Sequence, residues 1–306
     1  MPDAIVVIGV PTALGGHLAG MEQTPGELRR AGLLHELGRD AGLADTLVRD
    51  GGDLPIEPGS REDPDPRAKN RALIADFLPR EADFVADRIR STGPPARPLI
   101  LGGDCTVHAG ALAGIRRADP DRRLALVWFD AHGDFNTPTT TPSGDVWGMP
   151  FAMLCGIGDA DLVRACEGPT VMPTDAALVG GQVLDEQESR TLVRSGVAHF
   201  GPALLATPAG MAAFGAWIRA KKHEVDGVYI AVDFDVLDRA GGWAVQFPEP
   251  DGLDLPTAEA AIVELRGQLR VVGFGASGIN LANGDARRTQ DALVRLAGAA
   301  FESGGR

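Results

Sequence analysis

Short, nearly unbroken apolar runs recur along this chain, and they constrain its fold more than any other feature. Rich in Val and Ile and closed by Gly or Asp, they span Ala4–Val10, Pro98–Leu101, Leu124–Phe129, Val197–Phe200, Val228–Val232 and Val271–Phe274. Strands that are apolar along their whole length are typical of a parallel sheet covered on both faces. The runs therefore predict a buried, mainly parallel sheet.

Segments with helical spacing lie between these runs. They cover Pro25–Leu37, Arg80–Arg90, Thr257–Leu269 and Thr289–Phe301. Strands that alternate with helices predict the α/β class. Two stretches, Arg49–Pro66 and Thr137–Pro150, are rich in turn-forming residues and are expected to be irregular. Neither resembles a linker, so residues 1–306 are expected to form a single domain.

Charge and cysteine content exclude several classes of partner. The 42 acidic and 29 basic residues give a net charge of −13, which disfavours nucleic acid and anionic membranes. No apolar run reaches the roughly 18 residues of a membrane span. The start, Met1 to Ala4, lacks signal-peptide features, and Cys105, Cys155 and Cys166 suggest no disulfide framework. We expect a cytoplasmic protein with a small-molecule partner.

Acidic residues follow two of the apolar runs. One run leads into Asp130-Ala-His132-Gly-Asp134, and another into Asp233-Phe-Asp235. In an extended chain alternate side chains share a face and lie roughly 6.5–7 Å apart. Each set is therefore expected to point the same way from its strand end. Capping and turn formation are the alternative explanation for such acids.

A third run ends in Gly102-Gly-Asp-Cys105. Functional groups of α/β sheets gather beyond the carboxyl ends of the strands, so these motifs are expected in one cleft. Four carboxylates in one place repel one another unless cations intervene. Oxygen-rich ligation with an imidazole suits Mn²⁺, and also Zn²⁺ or Fe²⁺. Two such ions can turn a shared water into a hydroxide near neutral pH.

Together, the three motifs resemble the metal-binding motifs of the arginase/agmatinase (ureohydrolase) family. Ile8–Pro11 and Thr24–Arg29 resemble its first strand and helix, and Asp130–Gly148 is similar to arginase itself. The resemblance implies a three-layer α/β/α fold and two Mn²⁺ ions, with one ion as the alternative. It also implies hydrolysis of a guanidino or amidino C–N bond by a metal-bridging hydroxide, in a homotrimer or homohexamer.

The resemblance assigns roles to the acidic motifs. By position, Asp130 and Asp233 would bridge both metals. Asp134 would bind one ion, and His132 and Asp235 would bind the other. Asp134 and Asp235 are also the expected catalytic carboxylates.

The central motif carries candidate substrate contacts as well. Asn136 and Ser143 match the arginase positions that hold the α-carboxylate, which favours an amino acid over a decarboxylated amine. Asp145 is a third candidate for substrate binding.

One departure from the family pattern concerns the first metal position. Cys105 replaces the metal-binding histidine that usually follows Gly-Gly-Asp, and a thiolate pairs poorly with Mn²⁺. Cys105 is therefore either a ligand that favours a softer metal or a small buried residue that binds nothing. His108 is expected on a helix surface, with a reach into the site as the alternative.

Other departures concern the substrate. Trp147 stands where arginases carry a proton-shuttling histidine, and Gly278 where the family has a glutamate for the guanidinium. The segment Arg239–Pro248 lacks the usual loop. Around Gly201–Leu205 the aspartate for an α-amino group is missing.

A guanidinium would therefore lose a charge-assisted contact. Unless Asp145, Glu249 or Asp251 replaces it, arginine should be a poor substrate. We expect a less cationic one, such as N-hydroxyarginine. The alternatives are a different C–N reaction at the same metal site and an inactive member with a structural or regulatory role.

Overall fold

Eight strands form one sheet at the centre of the computed structural model, which describes residues 4–40, 43, 47–56, 65–93 and 95–302. The strands are β1 (Ala4–Val10), β2 (Leu47–Asp53), β3 (Ala96–Gly102), β4 (Leu124–Asp130), β5 (Ala176–Gly180), β6 (Ala198–Phe200), β7 (Gly227–Asp233) and β8 (Val271–Ser277). Their order is β2-β1-β3-β8-β7-β4-β5-β6. All neighbours pair in parallel, as the apolar runs predicted.

Helices cover both faces of the sheet. In the described residues they are α1 (Thr24–Arg30), α2 (Leu33–Asp40), α3 (Arg71–Thr92), α4 (Val107–Ala118), α5 (Pro150–Leu154), α6 (Ala160–Ala165), α7 (Glu186–Ser195), α8 (Pro202–Leu205), α9 (Pro208–Lys221), α10 (Leu255–Gln268) and α11 (Ala286–Phe301). None of these helices combines the length and apolar character needed to cross a membrane.

Alternate strand residues enter two separate hydrophobic cores. Ile5 and Val7 of β1 pack with α1, α2, α9, α10 and α11 in one core. Val6 and Ile8 pack with α3, α4 and α5 in the other. Because successive strand side chains point to opposite faces, one apolar strand serves both cores. The predicted three-layer α/β/α fold is confirmed.

Two strands lie where the sequence predicted none. Leu47–Asp53 falls largely in the stretch predicted to be irregular, but it pairs with β1 as the edge strand of the sheet. An edge strand has one neighbour, so the polar sequence Arg-Asp-Gly-Gly-Asp is tolerated there. Arg29 of α1 bonds to Asp50 and Asp53 and fastens this edge to the helix layer. Residues 57–64 of the predicted stretch lie outside the described residues. The second strand, Ala176–Gly180, was missed because a run of five residues that includes two alanines and a glycine gives a weak strand signal.

Helix boundaries also differ from the prediction. The single helix expected over Pro25–Leu37 is two helices, because Gly32 has φ +94° and interrupts the turn between them. The helix expected over Arg80–Arg90 is longer and begins at Arg71, ahead of Pro79.

The strand order brings the motif-bearing strand ends together. β3, β8, β7, β4 and β5 are consecutive neighbours in the sheet. Their parallel direction puts all five carboxyl ends at one edge, where α/β folds bind their ligands.

Candidate metal centre and active site

A pocket of about 290 Å³ opens at this edge of the sheet. Five side chains from two of the sequence motifs line it, together with Cys105 from the third; these are Asp130, His132, Asp134, Asp233 and Asp235. The three predicted substrate contacts line it too: Asn136, Ser143 and Asp145. The cleft expected from the strand ends is thus present.

The backbone brings the acids together in a way that simple alternation did not predict. β4 ends at Asp130, and Asp134 lies beyond it with φ +47°. β7 ends at Asp233, whose side chain accepts a hydrogen bond from Asp235 N at 3.0 Å and caps a short 3-10 turn. Turns after the strands, not extended chain, therefore direct the second acid of each motif into the pocket.

Two groups of side chains could each hold a metal ion. Cys105, Asp130 and Asp233 form one, and Asp130, His132 and Asp235 form the other. Within each group the ligand atoms lie within 4.8 Å of one another, and Asp130 belongs to both. A shared carboxylate between two ligand sets is the arrangement that a binuclear centre requires.

Burial and mutual repulsion act on the carboxylates. Burial raises the pKa of Asp134 and Asp233 well above the ordinary value, and neighbouring carboxylates add to the effect. For Asp235, burial and the charge of Asp130 raise the pKa to about 6. Asp134 Oδ2 is buried and has no hydrogen-bonding partner in the described residues. A cation would satisfy this oxygen and relieve the repulsion.

His132 lies between two of these acids. Its Nδ1 is 3.3 Å from Asp130 Oδ1 and 3.1 Å from Asp235 Oδ2. Burial by itself lowers the pKa of His132, but the two carboxylates raise it above its ordinary value. Ala131 N donates to Asp235 Oδ1 at 3.0 Å and holds that carboxylate against the histidine.

Cys105 is a protonated thiol in this environment. Burial, followed by the charges of Asp233, Asp134 and Asp130, raises its pKa well above the ordinary value. Its Sγ donates to Asp233 Oδ2 at 2.8 Å. Binding a metal through sulfur would therefore require loss of this proton, which the cation's own charge can promote.

His108 is buried, not exposed as the sequence predicted. It lies on the first turn of α4 with no solvent exposure. Its Nδ1 is 3.0 Å from Tyr229 Oη, and its Nε2 is 3.0 Å from Ser277 Oγ. The alternative, a reach into the metal groups, is also wrong, because both ring nitrogens bond elsewhere. The neighbouring residues on α4 are apolar, so nothing in the local sequence indicated that His108 has polar partners on distant strands.

The predicted substrate contacts already have partners. Asn136 Nδ2 donates to Asp185 Oδ2 at 2.9 Å. Ser143 Oγ accepts from Asp145 N at 3.1 Å. Asp145 is buried and bonds to His17 Nδ1 at 2.8 Å and Lys69 Nζ at 3.0 Å. Its charge is thus balanced locally, so Asp145 is a poor substitute for a glutamate that binds a cation.

The other two acids proposed as substitutes do not line the pocket themselves, but Glu249 lies beside His132, which does. Glu249 Oε1 is 3.7 Å from His132 Nε2, and Asp251 lines a separate cavity with Asp238. Neither is among the pocket-lining residues.

Asp185 and Glu188 were missed by the sequence reasoning. The loss of an aspartate was inferred at residues 201–205, but none of these residues lines the pocket. Asp185 and Glu188 do line it. They form a capping box at the start of α7, and Glu188 Oε1 accepts from Phe135 N at 2.9 Å. The spacing Asp-x-x-Glu is a signal for a helix start, but it is visible as a site only once β5 is recognised.

Aromatic rings form one side of the pocket. Trp147 contacts Phe247, with ring centroids 5.5 Å apart, and His17, with centroids 5.6 Å apart. Trp147 N also donates to Gly15 O at 2.8 Å. Trp147 and Phe247 are apolar at the position where the resemblance implied a proton-shuttling histidine, and His17 beside them bonds to Asp145 through Nδ1.

Gly278 presents no free polar group. Its N–H donates to Gly103 O at 3.1 Å, and its carbonyl accepts from Gln246 N at 2.8 Å. Its φ is +68°, and an added Cβ would lie 2.1 Å from Asp233 Oδ1. A glutamate cannot be placed here without moving Asp233.

Comparison with known proteins places this site in a family context. A family model described as the arginase family matches residues 3–301. Arginase of Bacillus caldovelox is 30% identical over 300 residues, which cover 97% of this chain and 97% of that enzyme. The solved structure of arginase from the same organism has a TM-score of 0.88 at 29% identity, covering 100% of this chain and 99% of that one. Formimidoylglutamase from Bacillus subtilis shares the fold, with a TM-score of 0.77 at 20% identity over 97% of this chain and 86% of that one.

Proposed function

This chain belongs to the arginase family, and from that membership we propose that it is a metal-dependent amidinohydrolase acting on an arginine-like amino acid. It hydrolyses a guanidino or amidino C–N bond, with N-hydroxyarginine as the preferred candidate substrate. The observation that carries the proposal is the pair of potential ligand groups joined at Asp130, at the carboxyl edge of a parallel sheet.

The residues present fit divalent cations. Asp130 and Asp233 are the proposed shared ligands, Asp134 belongs with the group of Cys105, and His132 and Asp235 complete the other. The buried, unpartnered Asp134 Oδ2 supports this, as does the raised pKa of the crowded acids. The oxygen-rich donor set suits Mn²⁺. When bound, a pair of such ions supplies a water of lowered pKa as nucleophile and polarises the amidino carbon.

The chain's own residues bind and orient the substrate. Asp185 offers a carboxylate for the α-amino group, and Asn136, fixed by Asp185 at 2.9 Å, lies with Ser143 at the end proposed to hold the α-carboxylate. Trp147 and Phe247 restrict water at the pocket wall. Because Gly278 stands where the resemblance places the glutamate for the guanidinium, a less basic group is favoured over the arginine guanidinium.

Metal analysis and a substrate screen test this proposal. Protein from manganese-supplemented cells should contain about two ions per chain by elemental analysis and should release ornithine from N-hydroxyarginine faster than from arginine. Asp235→Asn should lower the rate at least about 100-fold, because it removes one proposed ligand. Asp119→Asn, at an exposed helix end, is the matched control and should not change it.

The contrary outcomes are equally specific. Unchanged turnover in an Asp233→Ala variant would refute the metal-centred mechanism. One ion or none per chain, with no hydrolysis, would favour a different reaction or an inactive member. The homotrimer or homohexamer expected from the resemblance is likewise a proposal, which sedimentation velocity tests.

A further inference from the structure

Gln246 lies on the pocket wall beside Gly278, the position at which the family resemblance places a glutamate. Its backbone N–H donates to Gly278 O at 2.8 Å, and both residues line the pocket that holds the metal groups. Gln246 therefore presents a neutral side chain close to the place where a carboxylate would otherwise meet the substrate.

The hydrogen bonds of Asn280 determine how the Gln246 amide is oriented. Ala282 N donates to Asn280 at 3.2 Å. A backbone N–H can only donate, so the atom it meets is Oδ1, and the other atom of the amide is Nδ2. Asn280 Nδ2 in turn donates to Gln246 at 2.8 Å, which identifies the atom it meets as Oε1.

Asn280 is held firmly enough to impose this orientation. Its side chain is buried against Gly20, where an added Cβ would lie 2.5 Å from Nδ2. Its backbone N–H donates to Ala244 O at 3.0 Å. Reversal of the Asn280 amide would set Nδ2 against the N–H of Ala282 and lose that bond.

The Nε2 group of Gln246 is therefore the free end of the amide. It has no hydrogen-bonding partner within the part of the chain that the structure describes. The pocket is thus offered an N–H donor near the metal groups, where a glutamate would offer two acceptors.

We propose that Gln246 is a specificity-determining residue, whose Nε2 donates a hydrogen bond to an acceptor atom on the reacting end of the substrate. This rests on the proposed function, and it names the feature that the substrate must carry. A guanidinium has only N–H donors and would face another donor. A hydroxyguanidine or other oxygen-bearing amidine supplies an acceptor, and a site built to bond such an atom discriminates strongly against analogues that lack it.

Binding of two amino acids that carry no amidino carbon tests the proposal without turnover. L-Citrulline ends in a carbonyl acceptor and L-lysine in a cation with donors only. Calorimetry on the manganese-loaded protein should give a dissociation constant about tenfold lower for citrulline. Gln246→Glu should reverse the preference, because it replaces the donor with a charged acceptor.

Asn280→Asp provides a second variant outside the pocket. An aspartate cannot donate to Gln246 Oε1, so the amide should turn, give its N–H groups to the introduced carboxylate and present Oε1 to the pocket. The citrulline-to-lysine ratio should then shift in the same direction as in Gln246→Glu. Melting temperatures close to that of the wild type show that both variants are folded.

An unchanged ratio in both variants would overturn the inference, as would tighter binding of lysine by the wild type or no binding of either amino acid. The hydrolysis screen fails or succeeds independently of this ratio. A protein that hydrolyses N-hydroxyarginine with an unchanged ratio would keep the proposed function and lose the role of Gln246.

Discussion

At the scale of single residues, Gly278 occupies a position that only glycine fits. Its φ of +68° disfavours any side chain, and a Cβ would lie 2.1 Å from Asp233 Oδ1. We expect Gly278→Ala to displace Asp233 and weaken Mn²⁺ binding by about tenfold or more, as other changes around metal ligands do. Titration of the metal-free protein with Mn²⁺ measures this.

Gly242 provides the matched control. Its φ is +71°, yet no atom lies within 4 Å of an added Cβ. Gly242→Ala should therefore cost about 1 kcal/mol of stability from backbone strain alone and leave Mn²⁺ affinity unchanged. Equal metal affinity in the two variants would show that the contact with Asp233 is unimportant.

His108 should make the protein sensitive to acid. Burial lowers its pKa from the ordinary value to about 3. As pH falls below about 6.5, the unfolded chain takes up a proton that the folded chain does not, so stability is lost progressively down to about pH 3. At pH 4 this costs about 3 kcal/mol relative to pH 7.

His108→Gln removes this titration. Its free energy of unfolding, from urea denaturation in the presence of a chelator, should fall about 3 kcal/mol less than that of the wild type between pH 7 and pH 4. The same fall in both proteins would mean that His108 is protonated in the folded state.

The sequence predicted which residues belong to the site where they end a strand. It did not predict them where their position depends on a turn or on a distant strand. Asp130 and Asp233 end strands that their apolar runs predict, so the sequence located both. Asp185 follows a strand of small residues, and its place in the pocket depends on that strand lying beside β4. The burial of His108 depends on Tyr229 and Ser277, from strands far along the chain, which local spacing does not report.

At the scale of elements, helices α3 and α4 enclose a carboxyl group. Glu81 of α3 is fully buried, and neither of its oxygens is hydrogen-bonded in the described residues. Gly110 of α4 allows this close approach, since a Cβ there would lie 2.2 Å from Glu81 Oε2. Burial, followed by the charge of Asp104, raises the pKa of Glu81 well above its ordinary value.

Because the folded-state pKa is raised, Glu81 favours folding at low pH, and this contribution is lost as the pH rises above about 4.5. Glu81→Gln keeps the shape and removes the charge. Between pH 5 and pH 8, the free energy of unfolding of this variant should rise by about 1–3 kcal/mol relative to that of the wild type. This is the range for a buried polar group without a partner. Urea denaturation at the two pH values measures the difference.

Asp87→Asn, at an exposed position of the same helix, is the control and should alter the pH dependence by less than about 0.5 kcal/mol. A wild-type pH dependence in the Glu81 variant would show that the carboxyl group is already compensated.

Elements were predicted well where burial is two-sided and poorly at the edge of the sheet. β1, β4 and β7 are buried along their whole length, so they contain no charged residue before the aspartates that end β4 and β7. No residue of β2 is fully buried, and its glycines and aspartates are typical of a turn. Only its pairing with β1 and the ion pairs to Arg29 make it a strand.

At the scale of the whole molecule, the layered fold follows from the apolar runs that recur along the sequence. Strands apolar on both faces need a helix layer on each side, and the two cores on opposite faces of the sheet satisfy that need. The pattern of apolar runs does not predict the order of the strands in the sheet. The insertion of β8 between β3 and β7, which brings Gly278 and Gln246 to the metal groups, depends on long-range packing.

The concentration of acids at one sheet edge should couple the stability of the whole chain to metal and pH. The proposed Mn²⁺ ions would bind only the folded chain, and at 100 times their dissociation constant they would stabilise it by about 2.7 kcal/mol, or about 5 °C in melting temperature. Without metal, the raised pKa values of Asp134, Asp233 and Asp235 make this edge more stable as pH falls. The same protons compete with the metal, most strongly below about pH 6, where Asp235 titrates.

The difference in melting temperature between manganese-loaded and chelated protein should therefore be large at pH 7.5 and small at pH 5. Because the charge of Asp130 also acts on the pKa of His108, the same comparison on His108→Gln isolates the acidic edge. Scanning calorimetry at the two pH values measures it. A difference that stays constant with pH would mean that the metal binds groups other than these carboxylates. No difference at either pH would leave their repulsion uncompensated and the proposed metal centre without support.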